Sequence, residues 1–328
     1  MPITAPPGSA AADAAAAALA ARDAVREQIA RVWVGPSETV DLLFTALLAR
    51  GHVLLEGVPG IAKTTLVKAF AATLGCAMRR IQFTPDLLPA DITGTTILDQ
   101  RTQEFVMRQG PLFSNVVLGD EINRAPAKTQ SALLEAMQEL QVTVDGRSMP
   151  LSRPFIVLAT QNPVEHEGVY LLPEAQLDRF MFKITLGYPT PDAERRFLAA
   201  YSRPVPDVTP VLDPVTILHL QSAAEQVYID PELIDYIVRL AGATRAHPRV
   251  RVGASPRAGL LLMMAAKVFA FVSGRDFVLP DDIRALLPYV FAHRMLLHPE
   301  AELEGQSPDA VLSELVARLP FTTSVGAQ

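Results

Sequence analysis

Gly57-Val58-Pro59-Gly60-Ile61-Ala62-Lys63-Thr64 decides the fold of this chain, because it matches the phosphate-binding pattern G-x-x-x-x-G-K-S/T with one alanine near its end. The apolar run from His52 to Glu56 comes before it and predicts a buried strand. Residues 63–74 are apolar at helical spacing, and Gly75 follows as a typical helix C-cap. Strand, turn and helix together give backbone N–H groups that point at phosphate oxygens.

The residues of this loop have separate tasks when it holds a nucleotide. Lys63 would contact the β- and γ-phosphates, and the Thr64 hydroxyl would bind Mg²⁺. Ala62 is compatible with the loop only if its φ is negative, because a Cβ disfavours left-handed backbone. The alternative is a glycine-rich turn that merely precedes Lys-Thr. The predicted nucleotide-binding residues are Gly57, Val58, Pro59, Gly60, Ile61, Ala62, Lys63, Thr64 and Thr65.

Two carboxylates end a second apolar segment, residues 115–121. Ligands of open α/β sheets bind at the carboxyl ends of the strands, so this pair can share a crevice with the loop. Asp120 would hold Mg²⁺, usually through water, and Glu121 would orient the attacking water or accept its proton. The alternative is a helix start, since Asp-Glu also suits an N-cap and a first turn.

A third apolar strand, residues 155–160, is followed by Gln161-Asn162-Pro163. The uncharged amide of Asn162 can donate to a γ-phosphate or position a water. Asn-Pro is equally typical of a simple turn, so the residues alone leave both interpretations open.

The order of these segments resembles that of an AAA+ ATPase, and their residues resemble those of the MoxR family within that class. The similarity extends over nearly the whole chain from about Arg31 onward. The stretches that carry it are Leu54-Leu55-Glu56-Gly57-Val58-Pro59-Gly60, Arg80-Ile81-Gln82-Phe83-Thr84-Pro85-Asp86-Leu87-Leu88-Pro89, Asp120-Glu121-Ile122-Asn123-Arg124-Ala125-Pro126, Leu172-Pro173-Glu174-Ala175-Gln176-Leu177-Asp178-Arg179-Phe180 and Gly253-Ala254-Ser255-Pro256-Arg257.

The resemblance implies roles for three further residues. Asn162 matches the sensor-1 position, and Arg179 matches the arginine finger that acts on ATP bound to the neighbouring subunit. Arg257 matches the sensor-2 arginine of the lid, and Ser255-Pro256 independently predicts a helix start just before it. The alternatives are a surface ion pair between Arg179 and Asp178, and an exposed first-turn arginine at 257.

Composition excludes several other classes of protein. The chain has 328 residues, 49% of them apolar, which suggests two domains with packed cores, and a formal charge of −6 gives no basic field for nucleic acid. The single Cys76 indicates a reducing, cytoplasmic location. The longest apolar run, residues 260–272, is shorter than a membrane span of about 20 residues, so no span is expected.

The pattern along the chain predicts three parts. Residues 1–30 are alanine-rich and are expected to be a disordered tail, with some helix from Ala14. Residues 31–189 alternate strands and helices and predict a parallel sheet flanked by helices, with hairpins at 96–107 and 142–149. Residues 190–328 predict an all-helical lid domain with a proline-rich linker at 202–214. Its predicted helices are 193–201, 215–227, 231–244, 256–272, 280–296 and 308–319.

The sequence therefore predicts a MoxR-type AAA+ ATPase that hydrolyses ATP with Mg²⁺ at the subunit interfaces of a ring, expected to be a hexamer. The resemblance implies chaperone-like work on a partner protein, commonly one with a von Willebrand factor A domain. Two alternatives stay open, a chelatase-type ATPase subunit and a nucleotide-gated scaffold with negligible turnover. A GTPase is disfavoured because no guanine-reading Asn-Lys-x-Asp segment is present.

Overall fold

The computed structural model describes residues 9–58, 60–162, 170, 172–202 and 206–321. The chain forms two compact units, residues 21–219 and residues 1–20 with 220–328. The helices are α1 Ser9–Ala30, α2 Ser37–Leu48, α3 Lys63–Thr73, α4 Pro89–Thr93, α5 Ala127–Glu139, α6 Glu174–Leu177, α7 Pro191–Tyr201, α8 Pro214–Ala224, α9 Pro231–Ala246, α10 Pro256–Val272, α11 Pro280–Phe291, α12 Pro299–Leu303 and α13 Pro308–Arg318. The strands are β1 Val53–Gly57, β2 Met78–Gln82, β3 Gly94–Asp99, β4 Glu104–Gln109, β5 Val116–Asp120, β6 Gln141–Val144, β7 Arg147–Pro150, β8 Ile156–Gln161, β9 Phe182–Leu186, β10 Val250–Val252 and β11 Leu296–Leu297.

A five-stranded parallel sheet of order β2-β5-β8-β1-β9 organises the unit of residues 21–219. All five residues of β5 are buried, as is typical of strands covered on both faces. The phosphate-loop strand β1 and the acid-bearing strand β5 do not pair with each other, because β8 lies between them. The predicted parallel sheet is confirmed, and the carboxyl ends of its strands meet at one edge.

Both predicted hairpins are present. β6 and β7 are joined through Asp145 and Gly146, whose φ angles of 50° and 76° suit a two-residue hairpin turn. β3 pairs with β4 from Gly94↔Gln109 to Asp99↔Glu104. The β3–β4 hairpin exposes apolar side chains to solvent, and Phe105 is 77% exposed. The others are Ile97, Leu98 and Val106.

The described residues of the C-terminal unit are mainly helical and include one short antiparallel strand pair, β10 with β11. α10 begins as predicted, since the Ser255 hydroxyl accepts a hydrogen bond from the Ala258 N–H at 3.1 Å and Pro256 takes the first helical position. α11 ends at Phe291, earlier than the predicted residue 296, because the following residues form a 3-10 turn and then join β10.

The N-terminal segment differs from the expectation of a disordered tail. Residues 1–8 lie outside the described residues, but residues 9–30 form α1. Alanine has the highest intrinsic helix propensity, and the fully buried residues recur at helical spacing along one side. These buried residues are Ala15, Ala18, Val25 and Ile29. Apolar burial therefore orders a segment whose composition alone suggested disorder.

The boundary between the units also differs from the predicted one at residues 189/190. The division falls at 219/220, so α7 belongs with the sheet. The expected linker is bonded to that unit, because the N–H groups of Val211 and Leu212 donate to the Thr73 carbonyl at 2.9 and 3.1 Å. Among the described residues, no helix combines the length and the hydropathy that crossing a bilayer requires.

His52 is a buried polar residue at the start of β1, 4% exposed. Its Nδ1 accepts a hydrogen bond from the Val157 N–H at 3.0 Å, so its Nε2 carries the proton and donates to the Met137 carbonyl, also at 3.0 Å. Burial lowers the pKa of His52 to about 4, because the charged form would lose its hydration. A second proton would also face the Val157 N–H, so the neutral ring is part of the fold.

Acid should therefore destabilise the protein through His52. Its pKa is lower in the folded than in the unfolded chain, so its contribution is complete above the unfolded pKa and is lost as pH falls toward 4. The expected loss is about 2 kcal/mol between about pH 7.5 and about pH 5. Thermal unfolding at both pH values should show a smaller difference for His52→Gln than for wild type. The exposed control His219→Gln should keep the wild-type difference; equal differences for His52→Gln and wild type would contradict the assignment.

Candidate active site

A cavity of about 460 Å³ opens at the carboxyl edge of the sheet. It brings together most of the predicted loop, both acids and the predicted sensor, although these residues come from three separate segments. Its lining residues are Gly60, Ile61, Ala62, Lys63, Thr64, Thr65, Asp120, Glu121, Thr160, Gln161, Asn162 and Phe197. The sequence predicted this grouping except for Thr160, Gln161 and Phe197.

The phosphate loop joins β1 to α3 as predicted. The Lys63 ammonium donates to the Gly57 carbonyl and, at 3.4 Å, to the Val58 carbonyl, so it lies against its own loop. Pro59 lies outside the described residues. The helix begins at Lys63, at the edge of the cavity, which places its positive end beside any bound phosphate.

The expected negative φ at Ala62 is wrong, because this residue has φ 60° and ψ 30° in the left-handed region. For a residue with a Cβ this conformation costs about 1–2 kcal/mol. The loop tolerates it because the Ala62 carbonyl still accepts the first bond of α3 from the Leu66 N–H at 3.0 Å. The loop therefore keeps Ala62 in left-handed backbone and bears the strain of that conformation.

The hydroxyl of Thr160, at the end of β8, joins the two acids. It donates to Asp120 Oδ1 at 2.5 Å and accepts from the Glu121 N–H at 3.0 Å. Glu121 has φ 58°, and its side chain makes no capping bond to the 3-10 turn that follows. The helix-start alternative therefore does not describe these acids, because the Thr160 hydroxyl binds the carboxylate of Asp120 and the backbone N–H of Glu121.

Asp120 and Thr64 present oxygen atoms to each other. The Thr64 hydroxyl lies 3.4 Å from Asp120 Oδ2, and the other carboxylate oxygen is engaged by Thr160. Hydroxyl and carboxylate oxygens are the ligands that Mg²⁺ prefers in proteins. These two residues therefore fit a magnesium ion that is also bound by phosphates.

Two side chains of β2 contact the acids and were not predicted as site residues. Arg80 donates to Asp120 Oδ2 from Nη2 at 2.7 Å and from Nε at 3.1 Å. Gln82 donates to Glu121 Oε2 at 2.9 Å and accepts from Arg80 Nη2 at 2.5 Å. The two side chains share one face of the strand, as residues two apart in sequence do.

Glu56 connects the loop strand to the sensor segment. Its Oε1 accepts from the Gln161 amide at 2.9 Å, and its Oε2 forms an ion pair with Lys183 of β9 at 2.9 Å. Gln161 stands directly before Asn162, which is 6% exposed. Asn162, the predicted sensor, therefore directly follows a residue that is hydrogen-bonded to β1.

Arg179, the first of the two predicted arginines, is not among the residues that line this cavity. Arg179 donates to the Leu134 carbonyl of α5 at 2.7 Å. Arg257 occupies the first turn of α10 in the C-terminal unit and is exposed.

Phe197 of α7 is the cavity residue for which the sequence carries the weakest signal. It is half-buried and lines the cavity together with the phosphate loop. Its helix was assigned to the lid, and a single phenylalanine in an amphipathic helix carries no signal of ligand binding. An aromatic ring beside a phosphate loop can stack on a nucleotide base.

Comparison with known proteins agrees with this geometry. The family model described as "ATPase family associated with various cellular activities (AAA)" matches residues 52–182, and the AAA lid domain model matches residues 242–315. A crystal structure of a candidate ATPase from Cytophaga hutchinsonii superposes with a TM-score of 0.89 at 40% identity, over 96% of this chain and 99% of that one. The fold and the site thus define an ATPase of the AAA class.

Relatives narrow this class to one family. The chain is 44% identical to the chaperone MoxR1 of Mycobacterium tuberculosis, over 99% of this chain and 88% of the relative. It is 35% identical to the MoxR protein of Methylorubrum extorquens, over 84% and 88%, and 50% identical to the uncharacterised protein YeaC of Bacillus subtilis, over 89% and 92%. The chain belongs to the MoxR family of AAA+ ATPases.

Proposed function

We propose that this ATPase requires Mg²⁺, works as a ring with hydrolysis at subunit interfaces, and uses ATP to remodel or mature a partner protein. The observation that supports it best is the pairing of Asp120 and Glu121 through one Thr160 hydroxyl, in the cavity that also contains Lys63 and Thr64. A binding-only scaffold has no need of a second, separately oriented carboxylate. The ring works, in this proposal, in the cytoplasm.

Each residue of the cavity then has a distinct task. Lys63 and the loop N–H groups hold the phosphates, while Thr64 and Asp120 hold the metal. A Mg²⁺ ion held by these two residues would supply positive charge against the negative charge that develops on the phosphate oxygens. Glu121 orients the attacking water and takes its proton, and Asn162 donates to the γ-phosphate or to that water.

Arg179 and Arg257 act as the trans finger and the lid sensor in this proposal. Arg179 is bonded to its own α5 and is not part of its own cavity lining, which suits a role at the site of a neighbouring subunit. A closed ring, expected to be a hexamer, needs two complementary faces on each subunit. Arg257 leaves a helix N-terminus, which favours an anionic partner.

The partner proposal rests on the chaperone name of a close relative and on the exposed β3–β4 hairpin. Exposed apolar groups of this kind mark interaction surfaces. A protein with a von Willebrand factor A domain, encoded near this one, is the partner we propose. The chelatase-type subunit and the nucleotide-gated scaffold remain the alternative functions.

Phe197 should contribute to recognition of the nucleoside. We expect Phe197→Ala to weaken ATP binding about tenfold, since base stacking on an aromatic ring is worth about 1–3 kcal/mol. Calorimetry should show unchanged binding of tripolyphosphate, which has no base. The adjacent variant Leu198→Ala, at a side chain that is 62% exposed, should bind both ligands normally. Equal losses for ATP and tripolyphosphate would mean that the ring shapes the loop and does not contact the base.

Partner capture tests the remodelling proposal. Glu121→Gln protein should retain the candidate partner more strongly in ATP than in ADP, because a nucleotide can shift a two-state lid only through differential affinity. The coupling is reciprocal, so the partner should tighten ATP binding by the same factor. Phe105→Ser should reduce capture, and the control Leu303→Ser, at a side chain that is 89% exposed, should not. Equal capture in both nucleotides would remove the mechanochemical claim, and no capture would remove the partner.

A further inference from the structure

Asp120 has only one oxygen available for a metal. Its Oδ1 accepts the short bond from the buried Thr160 hydroxyl. Its Oδ2 faces Thr64, the other metal ligand that the proposed function names. An ion held between Thr64 and Asp120, directly or through a water molecule, therefore faces Oδ2.

Both nitrogen contacts of Arg80 converge on that same oxygen, at 2.7 and 3.1 Å. The Asp120 side chain is 11% exposed, so its charge is poorly screened by water, whereas the Arg80 side chain is 47% exposed. A divalent ion on Oδ2 would lie within a few ångströms of a guanidinium, and like charges at that distance repel. The two cations compete for one carboxylate oxygen.

The Arg80 guanidinium can move into solvent when it separates from Asp120. β2 is an edge strand of the sheet, and the guanidinium already donates to the Gln82 side-chain carbonyl at 2.5 Å. Release into solvent from that position leaves no buried donor without a partner. Gln82 can meanwhile keep its bond to Glu121.

We propose that Arg80 is a tethered counter-ion of Asp120 that Mg²⁺ displaces, so that it sets the metal affinity of the nucleotide site. Arg80 keeps the Asp120 carboxylate oriented and neutralised between rounds of metal binding, and it weakens metal binding by competition. The inference rests on the proposed function, which assigns the metal to Thr64 and Asp120. It adds to that function a residue that contacts neither nucleotide nor metal.

The test is a Mn²⁺ titration of the ADP complex of the full chain, followed by the electron paramagnetic resonance signal of free Mn²⁺. Arg80→Met should bind Mn²⁺ about threefold to tenfold more tightly than wild type, the range expected for a half-exposed charge in direct competition. Arg80→Gln should behave in the same way. Arg80→Lys, which keeps the charge, should stay closer to wild type.

Arg79→Met is the matched control, because it removes an exposed arginine from the opposite face of the same strand. Its titration should match wild type. ADP affinity in EDTA, measured for every variant, should also match wild type and establishes that the cavity is intact.

Unchanged or weaker Mn²⁺ binding by Arg80→Met would overturn the inference, and so would equal tightening by Arg79→Met, which would indicate a general field effect. Wild-type protein that binds ADP but no Mn²⁺ would refute the metal site of the proposed function. The wild-type titration alone therefore distinguishes failure of the Arg80 inference from failure of the proposed metal site.

Discussion

Glutamine in place of Glu121 is expected to lower ATP turnover by about 10²–10⁴-fold and to leave ATP binding nearly unchanged. The amide keeps the shape of the side chain and can still accept the bond from Gln82, but it cannot take a proton from water. Phosphate release and nucleotide affinity, measured on the same preparation, separate the two effects. The exposed control Glu135→Gln, in α5, should behave as wild type in both measurements. Turnover of Glu121→Gln at the wild-type rate would show that another group activates the water.

Lys63→Ala is the complementary variant, because it should weaken binding itself. The loop would lose a cation whose charge-assisted hydrogen bonds are worth about 1.5–3 kcal/mol, so the dissociation constant for ATP should rise about tenfold to hundredfold. The pair of variants then assigns binding and chemistry to different residues. A Lys63→Ala protein with normal affinity would contradict the role of the loop lysine.

Arg179→Ala is expected to bind ATP normally and to lose about 10³-fold or more of its turnover in any assembly. The Nη1 of Arg179 donates to the Leu134 carbonyl at 2.7 Å, and the guanidinium has further N–H donors that could reach a neighbour's γ-phosphate. Arg179→Lys should remain strongly impaired, because a lysine lacks the planar fork of an arginine. Phosphate release over a range of protein concentrations measures both variants.

Mixed assemblies give the sharper version of this test. Rings that combine Arg179→Ala with Glu121→Gln subunits should recover part of the activity, because some interfaces then pair an intact Glu121 with an intact Arg179. Assemblies of either variant alone should not recover. A wild-type monomer whose specific rate does not depend on concentration would rule out a shared site.

Much of the fold could be predicted because local sequence patterns indicate its helices, strands and turns. Glycine and proline marked the ends of elements, as at Gly75, Pro256 and the Asp145-Gly146 turn, and apolar runs marked the strands. The prediction fell short in α1, where some helix was expected only from Ala14 within a disordered tail, and burial orders the helix from Ser9. It failed again at Ala62, where the backbone path is fixed by the loop as a whole and not by the preference of one residue.

Only those cavity residues that belong to recognisable sequence motifs could be predicted. Arg80, Gln82 and Thr160 hold the acids from strands on either side of β5, and the order β2-β5-β8 is a property of the assembled sheet. A weak signal was nonetheless present at Thr160, which lies near the carboxyl end of an apolar strand, whereas the strand of Arg80 and Gln82 is mostly polar. Phe197 had no comparable signal, since it reaches the cavity from a helix that sequence pattern placed in another domain.

The position of β8 has a consequence for how the protein is made. Neighbouring strands lie about 4.8 Å apart, so the loop strand β1 and the acid strand β5 are held at about twice that spacing by the strand between them. A ribosome delivers β1 and β5 before β8, because β8 follows both of them in the sequence. Until residues 156–161 have emerged and inserted, the two halves of the site have no fixed separation, and Thr160 is not present to join the acids. A growing chain therefore lacks the arrangement of loop and acids that ATP hydrolysis requires until β8 has joined the sheet.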